Sequence, residues 1–363
     1  MQKYGGVSNY IANLIKRIEQ KNFKVIVPCL LYKNRYAKNL KIKSISGFFI
    51  PDYPKYCAQI IRILNRIYFL LFVLIKKPKL IHLSYYTTIP KIFIPKDCKI
   101  ILPIYDCIHE KLPEFWKSDS ELKAKKNAIK SANFYICISK NTRNDFIKYY
   151  KVNKSKTCVI HLGTNYKYQK NKKFSHIKKY NKQQKLVLYI GNRDKYKNFI
   201  FLLKTLIFYK KKLNNLRLLC VGGEKKLQPS ELKLIEANVE IKKRIFFIQA
   251  SESYLKKLFL KAHLFIYTSL YEGFGLPPLE AMKNFCPVLT TKSGSIPEVC
   301  GNSVFYYKKN SRKNLFYMIN KILKFKPEIL KNKTKKAFFQ TKKFSWEQCE
   351  NKTRLIYKRL LKN

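Results

Sequence analysis

The chain of 363 residues is long enough for two domains of ordinary size, and its 46% hydrophobic and 15% aromatic content excludes a globally disordered protein. Its net charge is +55, and lysine supplies 65 of the 76 basic residues while arginine supplies 11. Because dedicated nucleic-acid binders favour arginine for bidentate contacts, this balance disfavours nucleic acid and leaves an anionic membrane surface open as a partner. Compositional drift in an AT-rich genome is favoured as the main cause of the lysine excess.

The first half of the chain opens on a glycine pair, Gly5-Gly6, followed by a helical pattern over residues 8–15. Such a turn normally follows a strand, and only four residues precede it, so either a first strand is missing or the natural start lies upstream. Short apolar runs typical of strands follow at residues 23–27, 80–82, 100–105, 134–138 and 157–160.

A nine-residue apolar run covers residues 67–75. As a helix it is too short to cross a bilayer, which takes about 20 residues. The basic residues around it would suit an amphipathic helix that touches lipid. The alternative, an ordinary buried helix on a parallel sheet, is favoured.

The second half has a regular rhythm. Strand-like runs recur at residues 186–190, 216–221, 245–248, 264–267 and 288–290. Helical patterns, such as residues 199–211 and 252–262, lie between them. Strands that alternate with helices predict a parallel, doubly wound sheet, whose ligands bind beyond the carboxyl ends of the strands.

Together these patterns predict an α/β protein with two Rossmann-like domains facing a cleft. The predicted parts are an N-terminal domain over residues 1–165, a lysine- and asparagine-rich linker over 166–185, a second domain over 186–343 and a C-terminal helix over 344–363. The ten cysteines show no CxxC spacing, which indicates buried free thiols in a reducing compartment. No secretory signal is recognisable.

The most informative segment runs from Glu272 to Glu280. Two carboxylates flank a Gly-x-Gly turn, and a proline pair then opens a helix. Free amides at a helix start form an anion site. A carboxylate only accepts hydrogen bonds and therefore suits hydroxyl groups. An anionic middle with hydroxyl-rich ends describes a nucleotide-sugar.

These residues resemble glycosyltransferases of the two-Rossmann-domain GT-B architecture, and more narrowly family 4, the glycosyl transferases group 1. The resemblance runs from residue 5 to residue 361 and is strongest over residues 188–307. The matching segments are residues 5–10, 105–110, 138–142, 159–163, 189–193, 272–280, 296–299 and 344–346. In the family, the C-terminal helix crosses back to brace the first domain.

The resemblance implies a retaining hexosyltransferase of class EC 2.4. The donor would be a nucleotide-diphospho-sugar and the acceptor a hydroxyl of a glycan or lipid-linked glycan. The setting it implies is bacterial surface polysaccharide synthesis (lipopolysaccharide, O-antigen or capsule) in the cytoplasm, with peripheral attachment to the inner membrane face as an option. No cofactor and no metal are expected, because the chain has six aspartates and no Asp-x-Asp motif.

Roles in the second domain carry over residue by residue. Glu272 would contact donor-sugar hydroxyls and Glu280 the ribose; the bland alternatives are a solvated loop acid and a helix N-terminal acid. Arg193 and Lys197 would clasp the diphosphate, although a lysine can stand there by chance in so basic a chain. Backbone amides for the sugar and phosphate would come from Gly273, Phe274, Gly275 and Leu276.

In the first domain, Gly5 and Gly6 would close on the donor, unless they are a plain helix-opening turn. Where many family members carry a catalytic-region histidine, this chain has Tyr105. Asp106 and His109 are the remaining candidates for contact with the donor sugar or the acceptor, and loop structure is the alternative for both.

Two other hypotheses stay open. One is a truncated, inactive glycosyltransferase homologue, because of the missing first strand. The other is a basic membrane- or nucleic-acid-binding protein without chemistry. The second is disfavoured because lysine is interspersed along the chain and no nucleic-acid-binding motif occurs.

Overall fold

The computed structural model describes residues 5–21, 23–54, 56–116, 118–164, 184–193, 195–223 and 227–362. The chain divides into two compact units. The first unit comprises Met1–Gly163 and Phe344–Asn363, and the second comprises Thr164–Lys343. Most of the predicted linker, residues 166–183, lies outside the described residues.

The first unit is built from parallel sheets and flanking helices. Its helices are α1 (Gly6–Glu19), α2 (Arg35–Asn39), α3 (Cys57–Lys76), α4 (Ile108–Lys111), α5 (Ser120–Ser131), α6 (Lys140–Tyr150) and α15 (Trp346–Lys362). Its strands are β1 (Leu31–Tyr32), β2 (Phe48–Phe49), β3 (Leu80–His82), β4 (Lys99–Ile104), β5 (Phe134–Cys137) and β6 (Thr157–Val159). Short 3₁₀ turns occur at Lys91–Phe93, Pro113–Phe115 and Lys154–Lys156.

The main sheet of the first unit has the order β3-β4-β5-β6, and every pairing is parallel. Nearly every residue of β4 and β5 is buried, as expected for strands covered by helices on both faces. Residues 23–27 do not form the predicted strand; Val27 makes one isolated bridge to Ile45. Pro28 follows at once and has no N–H to extend a ladder.

The C-terminal helix α15 packs within the first unit. Its first residue, Trp346, stacks on Tyr10 of α1 with ring centroids 6.2 Å apart. A Cβ on Gly163 would lie 2.1 Å from the Trp346 backbone nitrogen, so only glycine fits there. Further along α15, the Tyr357 hydroxyl hydrogen-bonds to Nδ1 of His82 at the end of β3, and burial lowers the pKa of His82 to about 4.

Helix α3 differs from the buried helix that the sequence favoured. It spans twenty residues, and Val73 is the only fully buried residue among them. Apolar residues occur all around this helix, although only one of its faces packs against the core of the first unit. In the described part of the chain, α3 is the one helix long and apolar enough to cross a membrane by length and composition, which is weak evidence taken alone.

The second unit contains one six-stranded sheet. Its strands are β7 (Lys185–Ile190), β8 (Leu216–Val221), β9 (Ile245–Ile248), β10 (Leu264–Tyr267), β11 (Val288–Thr290) and β12 (Phe305–Tyr306). Its helices are α7 (Phe199–Phe208), α8 (Pro229–Glu236), α9 (Val239–Lys242), α10 (Glu252–Lys261), α11 (Leu276–Lys283), α12 (Ile296–Cys300), α13 (Arg312–Leu323) and α14 (Pro327–Thr341). A 3₁₀ turn covers Lys195–Lys197.

The strand order of this sheet is β12-β11-β10-β7-β8-β9, with all pairings parallel. The chain winds outward in one direction from β7 and in the other from β10. This is the Rossmann order, and its topological switch point lies between β7 and β10. A ligand crevice is therefore expected beyond the carboxyl ends of these two strands.

The prediction of two Rossmann-like α/β domains is confirmed. All five strands predicted in the second half form within one residue of their predicted bounds, and β12 was missed because it has two residues. The ten cysteines are free, and eight of them are buried.

Candidate functional site

The switch point brings together the segments after β7 and β10. Gly191 follows β7 with φ +123°, a backbone conformation that favours glycine. It adjoins the Gly222-Gly223 turn after β8, where a Cβ on Gly223 would lie 3.1 Å from the Gly191 carbonyl oxygen. Arg193 and Lys197 follow this turn at the carboxyl end of β7, the edge where the sheet is expected to bind a ligand.

Arg193 is buried and forms an ion pair with Glu231 of α8. Its Nε lies 3.1 and 3.2 Å from the two Glu231 carboxylate oxygens, and its guanidinium lies 4.8 Å from the centroid of the Phe247 ring. Glu231 also accepts a hydrogen bond of 2.9 Å from the Gln228 backbone at the start of α8. The carboxylate that orients Arg193 is thus itself fixed by the cap of a helix.

Lys197, Glu272 and Tyr267 form a closed hydrogen-bonded cluster, which we call the switch-point cluster. Lys197 Nζ lies 2.7 Å from Glu272 Oε1 and 3.1 Å from the Tyr267 hydroxyl. The Tyr267 hydroxyl donates to the same Glu272 oxygen at 2.7 Å. Tyr267 is the last residue of β10, and Lys197 closes the 3₁₀ turn after β7, so the cluster spans the switch point.

The charges of this cluster stabilise one another. Burial alone would lower the pKa of Lys197, but the Glu272 carboxylate and the two neighbouring tyrosines raise it well above its usual value. Burial and the Glu272 charge raise the pKa of Tyr267. The cluster therefore holds a cation on Lys197 and a neutral phenol on Tyr267 at neutral pH, next to a carboxylate.

The turn between Glu272 and α11 is shaped by two glycines and two prolines. Gly275 precedes the helix with φ +98°, and α11 begins at Leu276, one residue before the proline pair that was expected to open it. Pro277 and Pro278 have no N–H, which removes two of the four first-turn donors. The anion site of this helix start consequently depends on the amides of Gly275 and Leu276, two of the four predicted backbone donors; Gly273 and Phe274 precede the helix.

The loop after β11 holds the backbone of Glu272 in place. Both the amide and the hydroxyl of Ser295 donate to the Glu272 carbonyl at 3.0 Å. Gly294 has φ +57°, and a Cβ there would lie 2.4 Å from the same carbonyl oxygen. The loop after β11 thus fixes the backbone of Glu272, the predicted sugar-binding residue. We call Gly294 and Ser295 the Gly294–Ser295 clamp.

Glu280 lies on α11 in a partly buried environment. Burial, together with the nearby Glu252 charge and against the opposing effect of Lys256, raises the pKa of the Glu280 carboxyl to about 8. The raised pKa favours the protonated carboxyl, which can both donate and accept a hydrogen bond. Both capacities suit the hydroxyl groups of a vicinal diol.

The raised pKa of Glu280 predicts a pH-dependent stability. Between about pH 4.5 and 8 the folded protein keeps a proton on Glu280 that the unfolded chain has lost, so stability falls as pH rises through this window. Chemical denaturation of the wild type and Glu280→Gln at pH 5, 7 and 9 measures the effect. The wild type should lose stability relative to the variant up to pH 8, and a difference that stays constant with pH would refute the raised pKa.

In the first unit, the predicted glycines lie at the start of α1. Gly5 precedes the helix with φ +146°, and its carbonyl accepts the first helical hydrogen bond from Asn9 at 2.9 Å. Gly6 is the first residue of α1. A glycine with a positive φ in front of a fourteen-residue helix fits both predicted roles of the pair: a loop that closes on the donor, and a plain helix-opening turn.

Asp106 lies in a connected polar group after β4. Its Oδ1 accepts a hydrogen bond of 3.1 Å from the Ile108 amide at the start of α4, and burial raises its pKa against the opposing charge of Lys125. Lys125 of α5 donates 2.6 Å to the Asp106 carbonyl and 2.7 Å to Glu110, which also receives the Tyr150 hydroxyl. The buried Lys125–Glu110 pair thereby orders the Asp106 loop.

His109 has its imidazole ring against Trp116, with centroids 3.6 Å apart. Its Nε2 lies 3.3 Å from a Glu121 oxygen, and the Tyr85 hydroxyl contacts the same carboxylate. Tyr105, which stands at the family's histidine position, is buried and donates 2.7 Å to the Ser84 carbonyl. These contacts hold the side chains of His109 and Tyr105 within the first unit.

The structure brings Lys197 and Glu272 into direct contact and places Arg193 at the same sheet edge. Sequence reasoning missed Tyr267, Glu231 and the Gly294–Ser295 clamp. Tyr267 could have been found as the polar end of a predicted strand at the switch point. Glu231 lies 38 residues from its arginine partner and carried no sequence signal.

Among the described residues, no group of three or more His, Cys, Asp and Glu side chains is arranged to hold a metal.

Comparison with known proteins identifies both halves of the chain. The family model for glycosyl transferases group 1 matches residues 170–338, and that for glycosyltransferase family 4 matches residues 4–168. The chain is 27% identical over 190 residues to the O-antigen chain mannosyltransferase RfbU of Salmonella typhimurium, which covers 52% of this chain and 50% of that protein. It is 37% identical over 106 residues to O-antigen chain mannosyltransferase B of Escherichia coli, covering 29% and 28%.

The chain thus spans half or less of the length of these curated relatives. Its fold is similar to that of Alr3699/HepE of Anabaena, solved in complex with UDP and glucose, with a TM-score of 0.73 at 16% identity over 98% of this chain and 96% of that one. The two family models together account for residues 4–168 and 170–338, which is nearly the whole chain. The chain belongs to the family 4, group 1 glycosyltransferases.

Proposed function

We propose that this protein is a retaining glycosyltransferase that moves a hexosyl group from a nucleotide-diphospho-sugar to a hydroxyl acceptor in bacterial surface polysaccharide synthesis. The observation that carries the proposal is the switch-point cluster, which places a buried cation, a phenol and a carboxylate where a Rossmann sheet binds ligands. Because the two curated relatives are mannosyltransferases by name, a nucleotide-diphospho-mannose is the first donor to test.

The donor diphosphate would lie against Arg193, Lys197 and the amides of Gly275 and Leu276. As the bond between the anomeric carbon and the phosphate oxygen breaks, negative charge builds on the leaving diphosphate. A lysine held cationic by its neighbours stabilises that charge without reorganisation. Glu272 would face the sugar and stabilise the positive charge that develops at the anomeric carbon.

The acceptor hydroxyl attacks the anomeric carbon on the face that the diphosphate leaves. One carbon–oxygen bond forms as the other breaks, and the acceptor proton passes to the departing phosphate oxygen. This route retains the anomeric configuration and requires no side chain as a base. Glu280 would hold the ribose, and Asp106, His109, Gly5 and Gly6 are proposed on the first-unit side.

No metal takes part in the proposed step, because a fixed cation and helix-start amides supply the positive charge. Nucleotide-diphospho-sugars are cytoplasmic metabolites, so we place the proposed reaction in the cytoplasm. The ten free cysteines suit the reducing conditions of that compartment. The second hypothesis, an inactive homologue, predicts no turnover with any donor.

The test begins with a thermal-shift screen of nucleotide-diphospho-sugars, since a ligand that binds the native state raises the melting temperature. The stabilising donor is then incubated with a polyprenyl-linked glycan in buffer and in EDTA, and the product linkage is determined by NMR. Retained configuration and an EDTA-insensitive rate are expected. Inversion, or loss of activity in EDTA restored by a divalent ion, would contradict the mechanism.

A further inference from the structure

An exposed apolar stripe runs along α3. Successive helical residues turn by 100°, so positions three, four and seven apart share a face. Seven apolar side chains lie on this one face, and each is between 42% and 71% exposed. They are Ile60, Ile63, Leu64, Ile67, Leu71, Leu74 and Ile75, and we call them the α3 outer stripe.

The opposite face of α3 is fixed to the first unit. Val73 is fully buried in the core below the main sheet, and Phe69 and Leu70 pack against the same core. Asn65 exchanges hydrogen bonds of 3.0 and 2.9 Å with the backbone of Leu31. A helix held along one side in this way cannot be surrounded by lipid, so it can lie on a membrane but not cross one.

The charge around the outer stripe is of one sign. Residues 53–96 contain eight lysines and arginines and no acidic residue. Arg62 and Arg66 are exposed on α3, but the turn of 100° per residue puts them on the side of Val73, away from the stripe. Lys91 and Ile92 are exposed on the 3₁₀ turn that packs next to α3, where Ile92 is 84% exposed. An exposed apolar stripe in a basic segment without acidic residues suits a helix that lies in the interface of an anionic bilayer.

From this arrangement we propose that the α3 outer stripe docks the protein on an anionic lipid bilayer, with the helix axis parallel to the membrane plane and Lys91 at the phosphate level. A second copy of this chain is the competing occupant. It would bring two basic segments together in a protein of net charge +55, which like-charge repulsion disfavours. The bilayer supplies the opposite charge.

Flotation of the full-length protein with vesicles tests the proposal, using about 30% phosphatidylglycerol in phosphatidylcholine against phosphatidylcholine alone. Wild type should float with the anionic vesicles. Ile63→Ser/Ile67→Ser/Leu71→Ser should bind at least about tenfold more weakly, because it removes inserted apolar surface. Val239→Ser/Ile329→Ser/Leu355→Ser, which changes three exposed apolar residues elsewhere, should bind like wild type. Lys91→Gln should weaken anionic binding about fivefold, and Arg62→Gln and Arg66→Gln, on the far side of α3, should weaken it less.

Insertion depth provides the second measurement. A tryptophan placed by Ile67→Trp should show a blue-shifted emission on anionic vesicles and quenching by lipids brominated about 5–10 Å below the headgroups. Circular dichroism confirms that the variants fold. Equal vesicle binding by the two triple variants would overturn the proposal by reducing it to general charge attraction. A wild type that dimerises through the stripe in sedimentation, and does not float, would also overturn it.

Discussion

Glu272→Ala is expected to lower the rate of sugar transfer by about 10²–10³-fold, the usual effect of removing one pre-organised electrostatic group. The loss has two sources. The carboxylate that would face the sugar disappears, and the buried Lys197 ammonium loses its partner at 2.7 Å. Without that partner, burial lowers the pKa of Lys197, so the cation proposed to stabilise the leaving diphosphate is weakened as well.

Steady-state kinetics with the stabilising donor, scored for both transfer and donor hydrolysis, measures this prediction. Glu272→Gln serves as the isosteric variant: it keeps a hydrogen-bonding oxygen for Tyr267 but removes the charge, and we expect most of the loss to remain. Glu328→Ala removes an exposed carboxylate on α14 and should have wild-type activity. Wild-type rates in Glu272→Ala would show that the switch-point cluster is not the catalytic site.

The fold of the second unit was predictable because its main strands are short runs dominated by apolar residues and bounded by polar turns. β8 and β10 were placed to the residue from this pattern alone. The first unit was less accessible because its short strands β1 and β2 carry too few residues for a pattern. Helix α3 was misjudged because apolar content does not reveal which side of a helix is packed.

The candidate site was predictable where residues are close in sequence to a strand end. Lys197 and Glu272 lie 75 residues apart, but each follows a strand, and parallel strands end at a common edge. The partners that orient them come from other elements: Glu231 from the cap of α8 and Ser295 from the loop after β11. Such pairings depend on tertiary packing, which local sequence patterns do not report.

The buried pair of Arg193 and Glu231 leads to the second large effect, on stability. Glu231→Ala is expected to lower the free energy of unfolding by about 3–5 kcal/mol, because it leaves the Arg193 guanidinium buried without its carboxylate. Arg193 and Glu231 are 5% and 1% exposed, so water replaces the lost partner only in small part. The α8 cap also loses the acceptor of the Gln228 amide. Urea denaturation followed by circular dichroism measures the change, with the exposed Glu236→Ala on the same helix as control.

A paired substitution separates the positioning of Arg193 from plain structural support. Arg193→Met/Glu231→Leu replaces the ion pair by apolar side chains and should recover most of the lost stability, since buried pairs are often replaceable in this way. Donor binding should not recover, because the guanidinium proposed to hold the diphosphate is gone, and the donor KM should rise at least about tenfold. A double variant with wild-type stability and a wild-type donor KM would assign this pair to the fold alone. A stable double variant with impaired donor binding would assign the Arg193 guanidinium to the donor site, in addition to its part in the buried pair.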